Sequence, residues 1–402
     1  MSALLKLTWV IKVNVILTAV SQFEFATVPI QPLTLALLVK LVWVVLVYRE
    51  SLFSGPDCQS LEGAMRQVVT TMNGGIEVLR VEEKPDPQPG PGEVVVAVRA
   101  AGLNFADILA RQGLYPDGPR KPCVMGYEVA GLVEKVGEGV DRDLVGVAVI
   151  ALTRFGGQSE KVVVQEKQLF EKPDSLTFEQ AAAIPVNYLT AYALLVAMGG
   201  LRRGEAVLIH NSGGGVGLAA LDIAKHIGAV TYGTASPSKH DFLRERGLDH
   251  PIDYRTQDWL PVLKKLTGDR GVELVIDPIG GSHWKKSYQA LRHTGRLGMF
   301  GVSVASANGI QGKFKLLKAA VQMPLFHPLG LLNKNRGVFG LNLGHLWHEP
   351  EKIVEWVQAL MEGVQEGWIR PHVDRAFPFE QAGEAHAYIE SRRNIGKVVL
   401  VP

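Results

Sequence analysis

Cysteine is nearly missing: Cys58 and Cys123 are the only two in 402 residues. Two cysteines build neither a disulfide framework nor a Cys-rich metal centre. A reduced, cytoplasmic setting is the corresponding expectation. No long block of basic residues occurs, and the net charge is only +2. Nucleic acid is therefore not an expected partner. Internal repeats and low-complexity tracts are absent as well. The longest apolar stretch, "LTLALLVKLVWVVLV" at 33–47, is broken by Lys40. A bilayer-spanning helix needs about 20 apolar residues, and mid-span is a costly place for a charge. The stretch also lies too far in for a cleaved signal peptide and lacks a small-residue exit. Residues 1–64 are expected to lie outside the fold. The alternatives are a membrane or partner anchor and a packed part of the domain, and membrane contact is expected only through this segment.

What is present suits a large core. Hydrophobic residues make up 47% of the chain and charged residues 20%, and the length suggests two domains. From Met65 the pattern is one of short β-rich runs separated by Gly and Pro, including the stiff loop "PDPQPGPGE". The segment "NFADILARQG" reads as a short helix. Together these predict a closed or partly closed β domain. Near 178 the pattern turns helical, with a break at Pro185. From 206 strands and helices alternate, through "AVLIH", "AVTYGT", 251–253, "VELVIDPI", "RLGMFGV" and "VFGLN". Alternation of this kind predicts a parallel sheet covered on both faces. Residues 303–337 break the rhythm and are expected to be a helical insertion near the acceptor pocket. After 343 two helices and a last strand, "GKVVLVP", return to the β domain, which is then discontinuous.

The run "LIHNSGGGVGLA" at 208–219 joins a strand to a helix. Glycines let the main chain approach a pyrophosphate, and a helix N-terminus offers free N–H groups and partial positive charge. Against G-x-G-x-x-G the register is Ser212, Gly214, Gly217, so the first glycine is replaced. The next strand runs out as "YGTASPSKHD". No acid stands at Gly233, Thr234 or Ala235 to hold a ribose hydroxyl, as NAD requires. Ser236, Ser238 and Lys239 follow, and these suit a 2′-phosphate. NADPH is the expected cofactor, although Lys239 would also suit a solvated helix start.

With these motifs in order, residues 65–402 resemble the medium-chain dehydrogenase/reductase superfamily. They are most similar to its zinc-free quinone oxidoreductase (zeta-crystallin-like) branch. "GLNFADILARQGLYPDGPRKPCVMGYEVAG", "GTASPSKHDFLRERGLDHPIDY" and "GVFGLNLGHLW" look like the vesicle amine transport protein group within it. The resemblance implies an α/β protein with a discontinuous GroES-like β-barrel catalytic domain and a Rossmann cofactor domain. Residues 65–187 would be the first part of the catalytic domain, 188–342 the NADPH-binding domain, and 343–402 the return. It also implies a homodimer, with "VFGLN" at the sheet edge that pairs between subunits.

Zinc alcohol dehydrogenases carry a cysteine where this chain has Asn104, and a histidine where "GYE" has Tyr127. A catalytic zinc needs three protein ligands and a structural one needs four, so no metal is expected. Hydride transfer to an already electrophilic acceptor, a quinone or an α,β-unsaturated carbonyl, needs no such activator. By resemblance, Asn104 and Tyr115 line the reacting end of the cleft and can donate to a developing oxyanion. Ser212, Gly213, Gly214, Gly215, Val216 and Gly217 would hold the pyrophosphate, and Ser236, Lys239 and Tyr254 the adenosine phosphate. Asn187 and Thr190 would lie near the nicotinamide, with Phe300, Gly301 and Val302 meeting its carboxamide through the backbone. Blander roles are open to several: Asn104 as a helix cap, Tyr115 as a packed aromatic, Asn187 as a backbone partner beside Pro185. Tyr127 is read as core, and "RERG" and "SRRN" as solvated charge runs. Asp222, where many relatives carry glutamine, is expected to lie beyond the phosphates.

Overall fold

The computed structural model describes residues 63–307 and 309–402. The expectation for residues 1–64 therefore falls, except for its last two positions, outside the described residues. Strands β1 (Ala64–Thr70) and β2 (Leu79–Pro85) form an antiparallel hairpin. Strand β3 (Glu93–Leu103) follows the Pro/Gly loop. Its Val94, Val95 and Val96 are all fully buried. This unbroken apolar run reflects a central place, with β5 on one side and β7 and β16 on the other. Helix α1 (Phe105–Arg111) and strands β4 (Cys123–Val124), β5 (Glu128–Val136), β6 (Ala148–Leu152), β7 (Lys161–Gln165) and β8 (Leu169–Glu171) complete the first part.

Helix α2 (Phe178–Ala182) starts at Thr177, whose hydroxyl accepts from the N–H of Gln180. Helix α3 (Pro185–Tyr192) restarts at the expected break, where proline's missing N–H is harmless. Then come β9 (Ala206–His210), α4 (Gly215–Ile227), β10 (Val230–Ala235), α5 (His240–Glu245), β11 (His250–Asp253), α6 (Trp259–Leu266), β12 (Val272–Asp277), α7 (His283–Gln289) and β13 (Leu291–Met299). The expected helical insertion is α8 (Gly309–Val321) and α9 (Pro328–Lys334), before β14 (Gly337–Gly340). Helix α10 (Pro350–Gln365), β15 (Val373–Pro378), α11 (Ala382–Glu390) and β16 (Lys397–Val401) end the chain.

The second sheet has the order β11-β10-β9-β12-β13-β14 and is parallel throughout. This is the doubly wound Rossmann order expected from the alternation. The first domain has a three-stranded sheet, β2-β1-β4, and a mixed seven-stranded sheet in which β16 pairs antiparallel with β3, so the C-terminus does return to the β domain. One core unites α3, α4 and the parallel sheet with α10, through Leu189, Leu194, Leu221, Trp356 and Leu360. Each fully buried large side chain there contributes roughly 1.5–3 kcal/mol.

Candidate active site

The glycine run sits where a strand gives way to a helix. Strand β9 ends at His210, Asn211 turns with φ 54°, and Gly214 precedes the first turn of α4. A Cβ on Gly217 would lie 2.3 Å from the carbonyl oxygen of Asn211 and 2.6 Å from that of Ser212. Only a bare main chain fits. Ser212 is buried and its hydroxyl donates to the Thr234 carbonyl at 3.2 Å, tying the turn to β10. The first-turn amides of α4, at Gly215, Val216 and Gly217, have no acceptor one turn back within the helix. Free N–H groups at a helix head are of the kind that can receive an anion.

The structure brings Ser236, Lys239 and Tyr254 to one corner. Ala235 pairs with Asp253, which sets Ser236 and Tyr254 side by side at adjacent strand ends. Ser236 Oγ lies 3.3 Å from Ser238 Oγ. Lys239 is not a solvated lysine: it is 7% exposed and lies across Gly213. Its ammonium donates to the Asn394 carbonyl. Burial pulls its pKa down, partly opposed by Asp374 and reinforced by Arg255. No carboxylate ends β10. The nearby Asp253 is engaged by the N–H of Arg255 at 2.8 Å and by the Thr256 hydroxyl.

Of the two charge runs read as solvated faces, "RERG" requires correction at Arg246, while the arginines of "SRRN" are exposed as expected. In "RERG", Arg244 and Glu245 are exposed, but Arg246 reaches inward. It donates to both oxygens of Asp222 at 2.8 Å and to the Arg370 carbonyl at 2.7 Å. Asp222 also accepts from the Tyr188 hydroxyl at 2.7 Å. It thus joins α3, α4, α5 and the return segment, and faces those elements rather than the glycine turn. In "SRRN", Arg392 and Arg393 are exposed, while Asn394 covers Lys239 and the N–H of Gly396 donates to the Gly213 carbonyl at 2.9 Å.

Asn104 precedes α1, yet its side chain makes no capping hydrogen bond to it. Asp107 does half of that work, accepting from the Asn104 N–H at 2.7 Å. The Asn104 amide turns instead to Glu128 and Lys397, at 2.8 and 2.7 Å. The Tyr115 hydroxyl donates to Asn342 Oδ1 at 3.4 Å. Burial, helped by Asp117 and Asp107, raises the Tyr115 pKa, so the phenol keeps its proton. Asn187 is buried and packs its amide against Gly215, where a Cβ would come within 2.5 Å of Nδ2. It also donates to the Ala183 carbonyl at 3.2 Å. Thr190 is buried one turn further on α3. Phe300, Gly301 and Val302 leave β13 against the turn after β12, with the Phe300 N–H donating to the Asp277 carbonyl at 3.2 Å. Tyr127 packs on Phe155 and Tyr115, with ring centroids 5.4 and 6.4 Å away. Its hydroxyl is buried without a partner among the described residues, and burial raises its pKa.

Sequence reasoning missed a hydrogen-bonded chain beside this turn. His210 Nδ1 meets the Thr234 hydroxyl at 3.0 Å and Nε2 meets Ser287 Oγ at 3.1 Å. Ser287 donates to Asp277 Oδ2 at 2.6 Å, which also meets His283 Nδ1 at 2.6 Å. Burial lowers the His210 pKa to about 3, so the ring stays neutral. The signal was a histidine ending an apolar strand just before the glycine turn. His210, Asp277 and His283 are the one group among the described residues compact enough to hold a metal, with donor atoms within 4.8 Å of one another. Those donors are already engaged within the chain of hydrogen bonds, and they lie on β9, β12 and α7.

Residues 90–174 match the alcohol dehydrogenase GroES-like domain, and residues 246–400 match the zinc-binding dehydrogenase domain. The synaptic vesicle membrane protein VAT-1 homolog of Rattus norvegicus is 42% identical over 345 residues, covering 84% of each chain. A quinone oxidoreductase of Pseudomonas aeruginosa is 35% identical over 333 residues, covering 82% of this chain and 97% of its own. Among solved structures, the Escherichia coli quinone oxidoreductase complexed with NADPH superposes with a TM-score of 0.74 at 31% identity, covering 84% of this chain and all of that one. Fold, glycine turn and likeness agree: the chain belongs to the medium-chain dehydrogenase/reductase superfamily, in its quinone oxidoreductase branch and close to the VAT-1 homologues.

Proposed function

We propose that this protein is an NADPH-dependent oxidoreductase that reduces a quinone or an α,β-unsaturated carbonyl without zinc. The observation that carries the reading is the bare helix head at Gly213–Gly217, set beside Ser236, Lys239 and Tyr254 with no acid at the end of β10. The likeness to a quinone oxidoreductase complexed with NADPH supports it. When bound, the reduced nicotinamide supplies the hydride. The chain's own residues hold and orient. The turn Gly213–Gly217 takes the pyrophosphate, with the free N–H groups of Gly215, Val216 and Gly217 donating. Ser236, Lys239 and Tyr254 take the 2′-phosphate. Asn187, Thr190 and the backbone of Phe300, Gly301 and Val302 meet the nicotinamide end. Asn104 and Tyr115 offer N–H and O–H donors to the acceptor oxygen as negative charge develops there. An amide at 104 and a phenol at 127 are not the ligands a catalytic zinc requires. The start of the α8 segment reaches this end of the cleft, with Gly312 against Leu114 and Ser306 Oγ donating to Gln112 at 3.3 Å.

The test is NADPH oxidation with 9,10-phenanthrenequinone and with an enone, with and without 1,10-phenanthroline. Turnover that the chelator leaves intact is expected. Loss of turnover with zinc removal, or no binding of either nicotinamide coenzyme, overturns the reading.

A second reading is a weakly catalytic or non-catalytic NADPH-binding protein of membranes or of vesicle and lipid transport. One surface favours it. Phe314, Leu317, Val321, Leu325, Leu329 and Leu332 are all exposed along α8, α9 and their connection, beside exposed Lys313, Lys315 and Lys318. A basic, apolar face of this kind suits an anionic bilayer surface. Tight NADPH binding without turnover, together with co-flotation on anionic vesicles, would favour it over the first. Among the described residues no helix is long and apolar enough to cross a membrane. The first reading places the protein in the cytoplasm as a homodimer joined along β14.

A further inference from the structure

We infer that Glu128 and Lys397 are positioning residues that fix which way the Asn104 amide points, and so aim its free N–H at the acceptor. This rests on the donor role given to Asn104 above.

The two ends of an asparagine amide have almost the same shape, so packing alone does not orient it. Chemistry does. An ammonium only donates and a carboxylate only accepts. Lys397 Nζ donates to Asn104 Oδ1 at 2.7 Å, and Asn104 Nδ2 donates to Glu128 Oε1 at 2.8 Å. A flipped amide would set N–H against ammonium and oxygen against carboxylate. Lys397 also pairs directly with Glu128, which closes the triangle. The second N–H on Nδ2 has no partner among the described residues, and the fixed flip leaves it in one direction only.

The arrangement is built rather than incidental. Glu128 is 0% exposed and Lys397 2%. Taking both charges out of water is costly, and an apolar pair would serve packing as well or better. Gly102 makes room for the carboxylate, since a Cβ there would come within 2.5 Å of Glu128 Oε1. The other carboxylate oxygen accepts from the N–H of Val186 at 2.7 Å, in the first turn of α3, the helix that carries Asn187 and Thr190. One carboxylate thereby sets the amide at 104 relative to the helix that meets the nicotinamide end.

Removing one charge alone would strand the other, so the informative variant is Glu128→Gln with Lys397→Met together. It is compared with Asn104→Ala and with all three changes combined. NADPH affinity is read by fluorescence titration, and kcat and KM with 9,10-phenanthrenequinone. The paired variant is expected to lose at least tenfold in kcat while its NADPH affinity stays within twofold. Adding Asn104→Ala to it should cost nothing further, because the pair acts through that amide. Losses that multiply, or a kcat unchanged in the folded paired variant, would overturn the inference. If Asn104→Ala alone leaves kcat intact while NADPH still binds and turns over, the donor role of Asn104 falls and the inference with it, but the reductase reading stands.

Discussion

A methyl group at position 217 would meet two carbonyl oxygens of the preceding turn. Gly217→Ala is therefore expected to push α4 off β9, costing roughly 1–3 kcal/mol of stability, as overpacking does. It should weaken NADPH binding at the same time, which thermal melts and fluorescence titration would show together. Lys239 is a different case, because its aliphatic stem lies across Gly213 and its ammonium sits beside the turn on the Asn394 carbonyl. Reversing its charge in Lys239→Glu should weaken NADPH by about ten- to a hundredfold, the worth of a charged hydrogen bond, and NADH far less. Equal affinities for the two coenzymes in wild type and variant would remove the phosphate assignment. Asp107 carries a pH signature. Burial pushes its pKa up to about 7, against the N–H donors of Asn104 and Gly126 and the charge of Lys397. A folded pKa above the unfolded one favours the protonated form in the native state. Its contribution to stability is thus full below about pH 4 and is lost as pH rises to about 7. Urea unfolding across that window should show wild type losing stability relative to Asp107→Asn.

At the scale of elements, Asp222 is the joint between the cofactor helix and its surroundings. Its pKa is raised by desolvation, with Arg246 and the Tyr188 hydroxyl pulling the other way. Asp222→Ala leaves the Arg246 guanidinium short of its carboxylate in a half-buried setting, and a loss on the order of 3–5 kcal/mol is expected from denaturant unfolding. A loss under about 1 kcal/mol would show that the helices hold without it. The elements themselves were legible in the sequence because periodicity and turn chemistry are local. Pro185 marked the start of α3, and the glycines marked the head of α4. Arg246 was not legible, since "RERG" looks like any exposed helix end until Asp222, 24 residues earlier, folds beneath it. Asn394 and Lys397 were hidden for the same reason. Their partners lie 155 and 293 residues away.

For the whole molecule, β14 is the last strand of the parallel sheet, with one edge unpaired among the described residues. If two copies join there, Val338→Pro, which removes an edge N–H, should convert dimers to monomers in light scattering after gel filtration. Wild-type protein that is already monomeric at micromolar concentration would discard the homodimer. The sequence by itself determined the order of strands and helices, the dinucleotide turn, the missing zinc ligands and the missing acid after the second strand. Each of these depends on residue type at short spacing. Only the tertiary structure decided that Lys239 is covered by Asn394, that Asp222 is a joint, that His210 is bonded through Ser287 to Asp277, and that the Asn104 amide is held by an ion pair rather than by its own helix. Those outcomes depend on which buried donors and acceptors come within about 3 Å once the sheets and helices are packed, and local spacing does not specify that.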